Sequence, residues 1–383
     1  MSRPRMWKAR EISAPRVGRF KIYIQGDLKH NQTAVLTVHD LGCNHSMWTN
    51  FLTHPSMEEI TKRAAFIHVD VPGQEDEAPD LPAESPPKKG SGISVCYTFP
   101  SMQSLGEDLV CVLDQLDVKQ VIGLGEGAGA NIIARFAMAQ PKRVLGVCLI
   151  HCTGSTANFM EAVKDKVRTW KLDQIGMNPS AEAYLVFHRF GSEYNIKFEK
   201  AENKEQLEKV IESFQQSLRS KINAKNLKRF VQAFMKRSNI ADNIGKIKCS
   251  ILMVTGSKAS ANQPVRLLFE KMNDQISKKN TEMMEVDGVA NVLEERPARF
   301  AESFLYFLQG LGVAGGVPMM RGQRSSSFEG GTPPCRTRSM SMEEADQPRG
   351  IYSMSPPKFG VSPPKMSSSP PTGSVLSSSP TKS

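Results

Sequence analysis

One stretch restricts the fold more than any other: Val121-Ile-Gly-Leu-Gly125-Glu-Gly127-Ala-Gly129-Ala-Asn-Ile-Ile-Ala-Arg135. An apolar run with the length of a buried strand passes into a glycine-rich turn. The turn passes directly into a helical apolar pattern that runs to about Gln140. Strand, tight turn and helix in this order belong to chains that wrap helices around a mostly parallel sheet.

The rest of residues 12 to 312 follows the same alternation. Phe20–Ile24, Ala34–Val38, Ala65–Val69, Val144–Ile150, Ser250–Thr255 and Glu282–Val286 read as further strands. Between Ile150 and Ser250 no strand pattern occurs. There Leu207, Val210, Ile211, Phe214 and Leu218 recur at helical spacing, as do Leu227, Phe230, Val231 and Phe234. The expected architecture is therefore an α/β-hydrolase-like, mostly parallel sheet with helices on both faces and a helical cap inserted at about 155 to 245. Residues 1 to 11 are expected as a flexible N-terminus, and Pro79 to Gly92 as an exposed loop. Lys225, Lys228, Arg229, Lys236 and Arg237 lie away from the apolar stripe of the second cap helix and read as its solvated face.

In an active α/β-hydrolase the turn is G-x-S-x-G, and the serine sits on a strained elbow that exposes its hydroxyl. Here Gly125 and Gly129 are the flanking glycines and Gly127 holds the nucleophile's place. Glycine has no side chain with which to form an acyl intermediate. Sliding the register by two places Gly125 at the centre, which is again glycine. The acid is expected after the strand that ends at Thr255, but Gly256-Ser-Lys-Ala259 follows, with no carboxylate before Glu270. The histidine is expected in the Asp287–Asn291 turn, yet the last histidine of the chain is His188. The sequence thus predicts no catalytic residues, only a vestigial elbow at Gly125, Gly127 and Gly129.

Gly125-x-Gly127-x-x-Ala130 also satisfies a loose dinucleotide-binding pattern. That site requires an acid at the end of the next strand, and Val144–Ile150 ends in His151-Cys152. No cofactor is expected. The seven cysteines form no CxxC pair and sit mostly among apolar residues, as reduced core side chains do. No metal site is expected from them. Met1 to Arg10 is charged and lacks the apolar stretch of a secretory signal, so the cytoplasm is the expected compartment. The net charge of +10 is spread along the chain. It reads as a solubilising surface, with peripheral contact to an anionic membrane as a second reading and no nucleic-acid partner.

His39-Asp-Leu-Gly-Cys-Asn44-His45, His68-Val-Asp-Val-Pro-Gly73, the glycine-rich elbow and Tyr306-Phe-Leu-Gln-Gly310 occur in an order that resembles the NDRG (N-myc downstream-regulated) family. The resemblance covers about residues 12 to 312. It implies an α/β-hydrolase fold without hydrolytic residues, a cytoplasmic setting, and roles in stress response, differentiation, signalling or vesicle trafficking. It also implies kinases as partners of the C-terminal tail. His39 and His45 flank the loop that forms the oxyanion hole in active relatives, and a loop-fixing role is expected for them. Asp40 and Asn44 are expected to cap the following helix.

After about residue 312 apolar periodicity vanishes, and residues 313 to 383 read as a disordered Ser/Pro-rich tail. Arg336 and Arg338 precede Ser341, and Arg321 and Arg324 precede Ser327, in the manner of basophilic kinase sites. Ser355, Ser362 and Ser379 each begin a Ser-Pro-x-Lys unit, while Ser369 and Thr332 precede proline alone. Each phosphate would add about −1.5 to −2 charges at neutral pH, enough to change which partners such a tail prefers.

Overall fold

The computed structural model describes residues 7–28, 33–83, 97–155, 177–191 and 203–313. Eight strands form one sheet in the order β1-β2-β4-β3-β5-β6-β7-β8. They are β1 (Lys8–Ala14), β2 (Gly18–Gln25), β3 (Thr33–Val38), β4 (Ala64–Asp70), β5 (Val121–Glu126), β6 (Val144–Ile150), β7 (Ser250–Gly256) and β8 (Thr281–Val286). β1 and β2 form an antiparallel pair, β2 joins β4 antiparallel, and β3 to β8 run parallel. Central strands β4 and β5 are buried along their whole length, which is why they read as unbroken apolar runs.

β1 begins at Lys8, inside the segment expected to be a flexible N-terminus. Its first four residues are exposed, so an edge strand with polar side chains leaves little hydrophobic signal. Backbone pairing from Lys8–Ile24 to Ala14–Gly18 holds it in place.

The helices are α1 (Thr49–Thr53), α2 (Glu58–Arg63), α3 (Met102–Asp108), α4 (Val110–Gln115), α5 (Ala128–Ala139), α6 (Pro179–Phe190), α7 (Lys204–Ser220), α8 (Ala224–Met235), α9 (Asn262–Gln275), α10 (Val292–Glu295) and α11 (Pro297–Gly310). α6, α7 and α8 lie between β6 and β7 in the chain and form the described part of the cap. Each starts on an asparagine. Asn178 accepts from Ala181 N, Asn203 from Gln206 N, and Asn223 from Lys225 N and Asn226 N. These caps satisfy amide groups that a helix start leaves unpaired, each worth about 1 kcal/mol.

The apolar spacing expected for the cap is the buried face. Leu207, Val210, Ile211, Phe214 and Leu218 of α7 are buried, as are Leu227, Phe230, Val231 and Phe234 of α8. Full burial of each such side chain contributes about 1.5–3 kcal/mol. Arg237 departs from the expectation of a solvated basic face. It lies beyond the end of α8 and turns inward, where only 7% of it is exposed. The expected Pro79–Gly92 loop is described as far as residue 83. Its first part is pinned to α8 and its N-cap: Asn226 accepts from Leu81 N and donates to Pro79 O, and Asn223 donates to Asp80 Oδ1.

Candidate functional site

The parallel strands all end on one side of the sheet, and the turns that follow them make the site. β5 enters the elbow at Gly127, whose φ of +53° and ψ of −112° are poorly tolerated by residues with a side chain. At Gly129 the constraint is space: an added Cβ would lie 2.1 Å from the carbonyl oxygen of Val38. Gly125 is crowded in the same way by the backbone of Ala130. Gly125, Gly127 and Gly129 therefore form a tight strand-to-helix turn that leaves no room for side chains.

The nucleophile's place is filled from another element. A Cβ at Gly127 would meet Asp40 Oδ1 at 2.1 Å. Asp40 follows β3, and its Oδ1 accepts from Ala128 N at 2.8 Å. Leu41 N donates to the same carboxylate. In active α/β-hydrolases the oxyanion hole consists of the amide after the nucleophile and an amide from the loop after β3. Ala128 and Leu41 are those positions, so the carboxylate of Asp40 lies where a tetrahedral oxyanion would otherwise lie. Asp40 is expected to cap the helix that follows it; instead its carboxylate accepts from the first amide of α5, on a different element. The following 3-10 turn, His45–Trp48, is capped by Asn44 alone, through Ser46 N.

From the cap, His188 of α6 reaches the same carboxylate, with Nε2 3.0 Å from Oδ2 and 3.2 Å from Oδ1. Both side chains are buried. Burial pushes the Asp40 carboxyl up, but His188 and the two backbone amides outweigh it and hold the group below the ordinary carboxylate range. His39 fixes the loop, as expected: Nε2 accepts from Val71 N at 3.0 Å and Nδ1 lies 2.8 Å from Asp40 O. His45 pairs with Asp70 at 2.8 Å and stacks on Tyr23.

The turns expected to carry the acid and the histidine have become structural. Ser257, after β7, accepts from Gly288 N and bonds Asp287. Asn291, in the histidine turn, donates to Glu126 Oε1 at 2.6 Å and caps α10 by accepting from Glu294 N. Glu126 is the elbow residue beside Gly127 and is fully buried. Burial above all, with the charges of Asp40 and Glu294 and against the opposing pull of Arg189, pushes its carboxyl up to about 7. Arg189 of α6 binds Glu294 at 2.9 Å and stands 4.0 Å from Glu126. His151, after β6, has a positive φ of 52° and sits 3.2 Å from Thr255 Oγ1; burial lowers it to about 4.

This cluster of acids and bases was not read from the sequence as a site. Its members Asp40, Glu126, His151, His188, Arg189 and Glu294 sit in five separate segments, and no spacing along the chain connects them. The chemistry it supports is charge pairing between cap and sheet. Two clefts, of about 310 and 450 Å³, are lined by other residues than Gly127, Asp40 and His188. Among the described residues no cluster of three or more His, Cys, Asp or Glu could hold a metal, and no helix is long and apolar enough to cross a membrane. The candidate phosphorylation sites Ser327, Thr332, Ser341, Ser355, Ser362, Ser369 and Ser379 lie outside the described residues.

Solved structures of similar fold are α/β-hydrolases. MenH from S. aureus aligns with a TM-score of 0.57 at 15% identity, covering 76% of this chain and 98% of that one. The enol-lactonase from Burkholderia xenovorans LB400 aligns with a TM-score of 0.55 at 17% identity, covering 76% and 96%. In sequence, an uncharacterised protein of Caenorhabditis elegans is 37% identical over 90% of this chain and 94% of its own length. Protein NDRG1 of Xenopus tropicalis is 32% identical over 78% and 70%. Protein NDRG4-B of Xenopus laevis is 29% identical over 86% of each. The match to the Ndr family spans residues 10–315, nearly the whole described part of the chain, and with an α/β-hydrolase fold and a glycine at the elbow this protein belongs to that family.

Proposed function

We propose that this chain is a non-catalytic signalling or scaffold protein, in which the hydrolase-type site has become a latch between cap and sheet. The observation that carries the reading is Asp40. Its carboxylate takes both oxyanion-hole amides and the space of a nucleophile's side chain. An ester carbonyl would have to displace a buried charge that is already hydrogen-bonded, and would then find no nucleophile at Gly127. The same filling disfavours a small ligand or lipid seated on the elbow, and equally a hydrolase that uses another constellation there.

Membership of the Ndr family supports a signalling role of the kind carried out in the cytoplasm during stress response, differentiation or trafficking. In this reading the fold presents a stable surface to protein partners, and kinases acting on the tail adjust which partners bind. Contact with an anionic membrane surface is a second use of the basic net charge. A serine-hydrolase activity probe and an ester panel test the first part, with no labelling and no turnover expected. Robust turnover abolished by Asp40→Ala or His188→Ala would refute it. Affinity purification with tails in which Ser327, Ser341, Ser355, Ser362 and Ser379 are all Ala or all Asp tests the second. Identical partner sets would remove the regulatory role from the tail.

A further inference from the structure

Two arginines are buried, and among the described residues no acid is hydrogen-bonded to either. Arg135 of α5 is 1% exposed and Arg237, after α8, is 7% exposed. Every hydrogen bond of Arg135 goes to a neutral group: Asn131 Oδ1, Gln103 Oε1, Ser238 Oγ and Ser238 O. The same holds for Arg237, which donates to Phe234 O, Thr153 Oγ1 and Ser155 O, while its Nε is buried with no hydrogen-bond partner. Burial lowers both guanidiniums only to about 10, so both stay charged at neutral pH. A buried charge is costly unless an opposite charge accompanies it. By contrast, buried Arg189 has Glu294.

These two arginines adjoin an open cleft of about 450 Å³. Arg237 lines it directly, and Arg135 holds two of its walls, Gln103 and Ser238. Arg229 and Lys236 add two more cations to the lining, and among the described residues no carboxylate contributes to it. Glu107, which Gln103 also contacts, is engaged by Arg16. Phe99, Met102 and Ala233 supply an apolar wall. The volume falls in the range of small-molecule sites, about 300–1,000 Å³.

The geometry points to a binding site for a phosphate-bearing anion in this cleft, with Arg237, Arg229 and Lys236 contacting the phosphate and Phe99 and Met102 facing its organic part. Arginine forks suit phosphate oxygens because their donors are planar and fixed. Gln103, Gln232 and Ser238 supply neutral donors around them. The site is separate from the elbow, and it stands whether or not the elbow is catalytically silent.

Isothermal titration of the full chain with pyrophosphate tests a soluble source of the phosphate. Co-sedimentation with phosphatidic acid vesicles, against phosphatidylcholine vesicles, tests a lipid source. Binding on either arm should weaken roughly tenfold or more in Arg229→Gln/Lys236→Gln and in Arg237→Met, and should fall with added salt. Lys246→Gln/Lys248→Gln removes the same charge from exposed positions outside the cleft and should leave binding unchanged. If Arg237→Met does not fold, the rim variant decides. Absence of binding on both arms overturns the site, as does equal loss in the Lys246/Lys248 control or binding that the cleft variants leave intact.

Discussion

Oδ1 of Asp40 lies 2.8 Å from the amide nitrogen of Ala128, so a side chain from the end of β3 completes the turn that ends β5. This bond makes Gly127 and Asp40 mutually dependent. A serine at 127 would place its Cβ 2.1 Å from the carboxylate, at a positive φ. Gly127→Ser should therefore cost about 3 kcal/mol or more in urea unfolding and give no labelling by a serine-hydrolase probe. In an Asp40→Ala background the same serine should cost less, with a coupling of about 1–3 kcal/mol in the double-mutant cycle. Additive costs would show that the two positions do not compete for space.

The Asp40–His188 pair fastens α6 to the sheet. Removing one member of a buried pair leaves the other uncompensated, at a cost of about 3–5 kcal/mol. His188→Gln should loosen the cap more than the sheet. Hydrogen–deuterium exchange should rise across Pro179–Phe190 while Val121–Glu126 stays protected. A uniform rise would mean that the pair stabilises the whole domain instead.

Glu126 gives the fold a dependence on pH opposite to that of an ordinary surface carboxylate. Its folded pKa of about 7 lies above the ordinary 4.5, so the folded state holds the proton more tightly. Its contribution is present below pH 4.5 and is lost as pH rises through 7, by roughly 3 kcal/mol over the window. Glu126→Gln keeps an acceptor for Asn291 and should flatten the decline. The variant should be more stable than the parent at pH 8 and close to it at pH 5, as read from urea midpoints.

His151 acts in the other direction. Burial lowers it to about 4 from 6.5, so its contribution is present above pH 6.5 and is lost as pH falls toward 4. His151→Asn suits the positive φ at this position and removes the titration. Its acid unfolding midpoint should move to lower pH; an unchanged midpoint would mean that other groups control acid unfolding.

The sequence made the central strands and cap helices legible because burial on both faces of β4 and β5, and on one face of α7 and α8, imposes a period on side-chain chemistry. β1 was hidden because its pairing is made by the backbone and its first four side chains face water. The missing nucleophile was legible as Gly127, since the flanking glycines are demanded by local geometry. What replaced it was not. Asp40 stands 87 positions before Gly127, and only the β3–β5 pairing of Val38 with Gly125 brings them together. Arg237 was misread for a related reason: it follows the last turn of α8, where helical spacing no longer tells which way a side chain points.

The interlock between Asp40 and Gly127 also bears on how this lineage can change. A serine arriving first meets the carboxylate. Loss of the carboxylate first leaves two backbone amides and His188 without their acceptor. Neither single step is neutral, so a return to catalysis would cross a valley in fitness from either side. Hydrolysis by a serine at this elbow would therefore need both positions to change together.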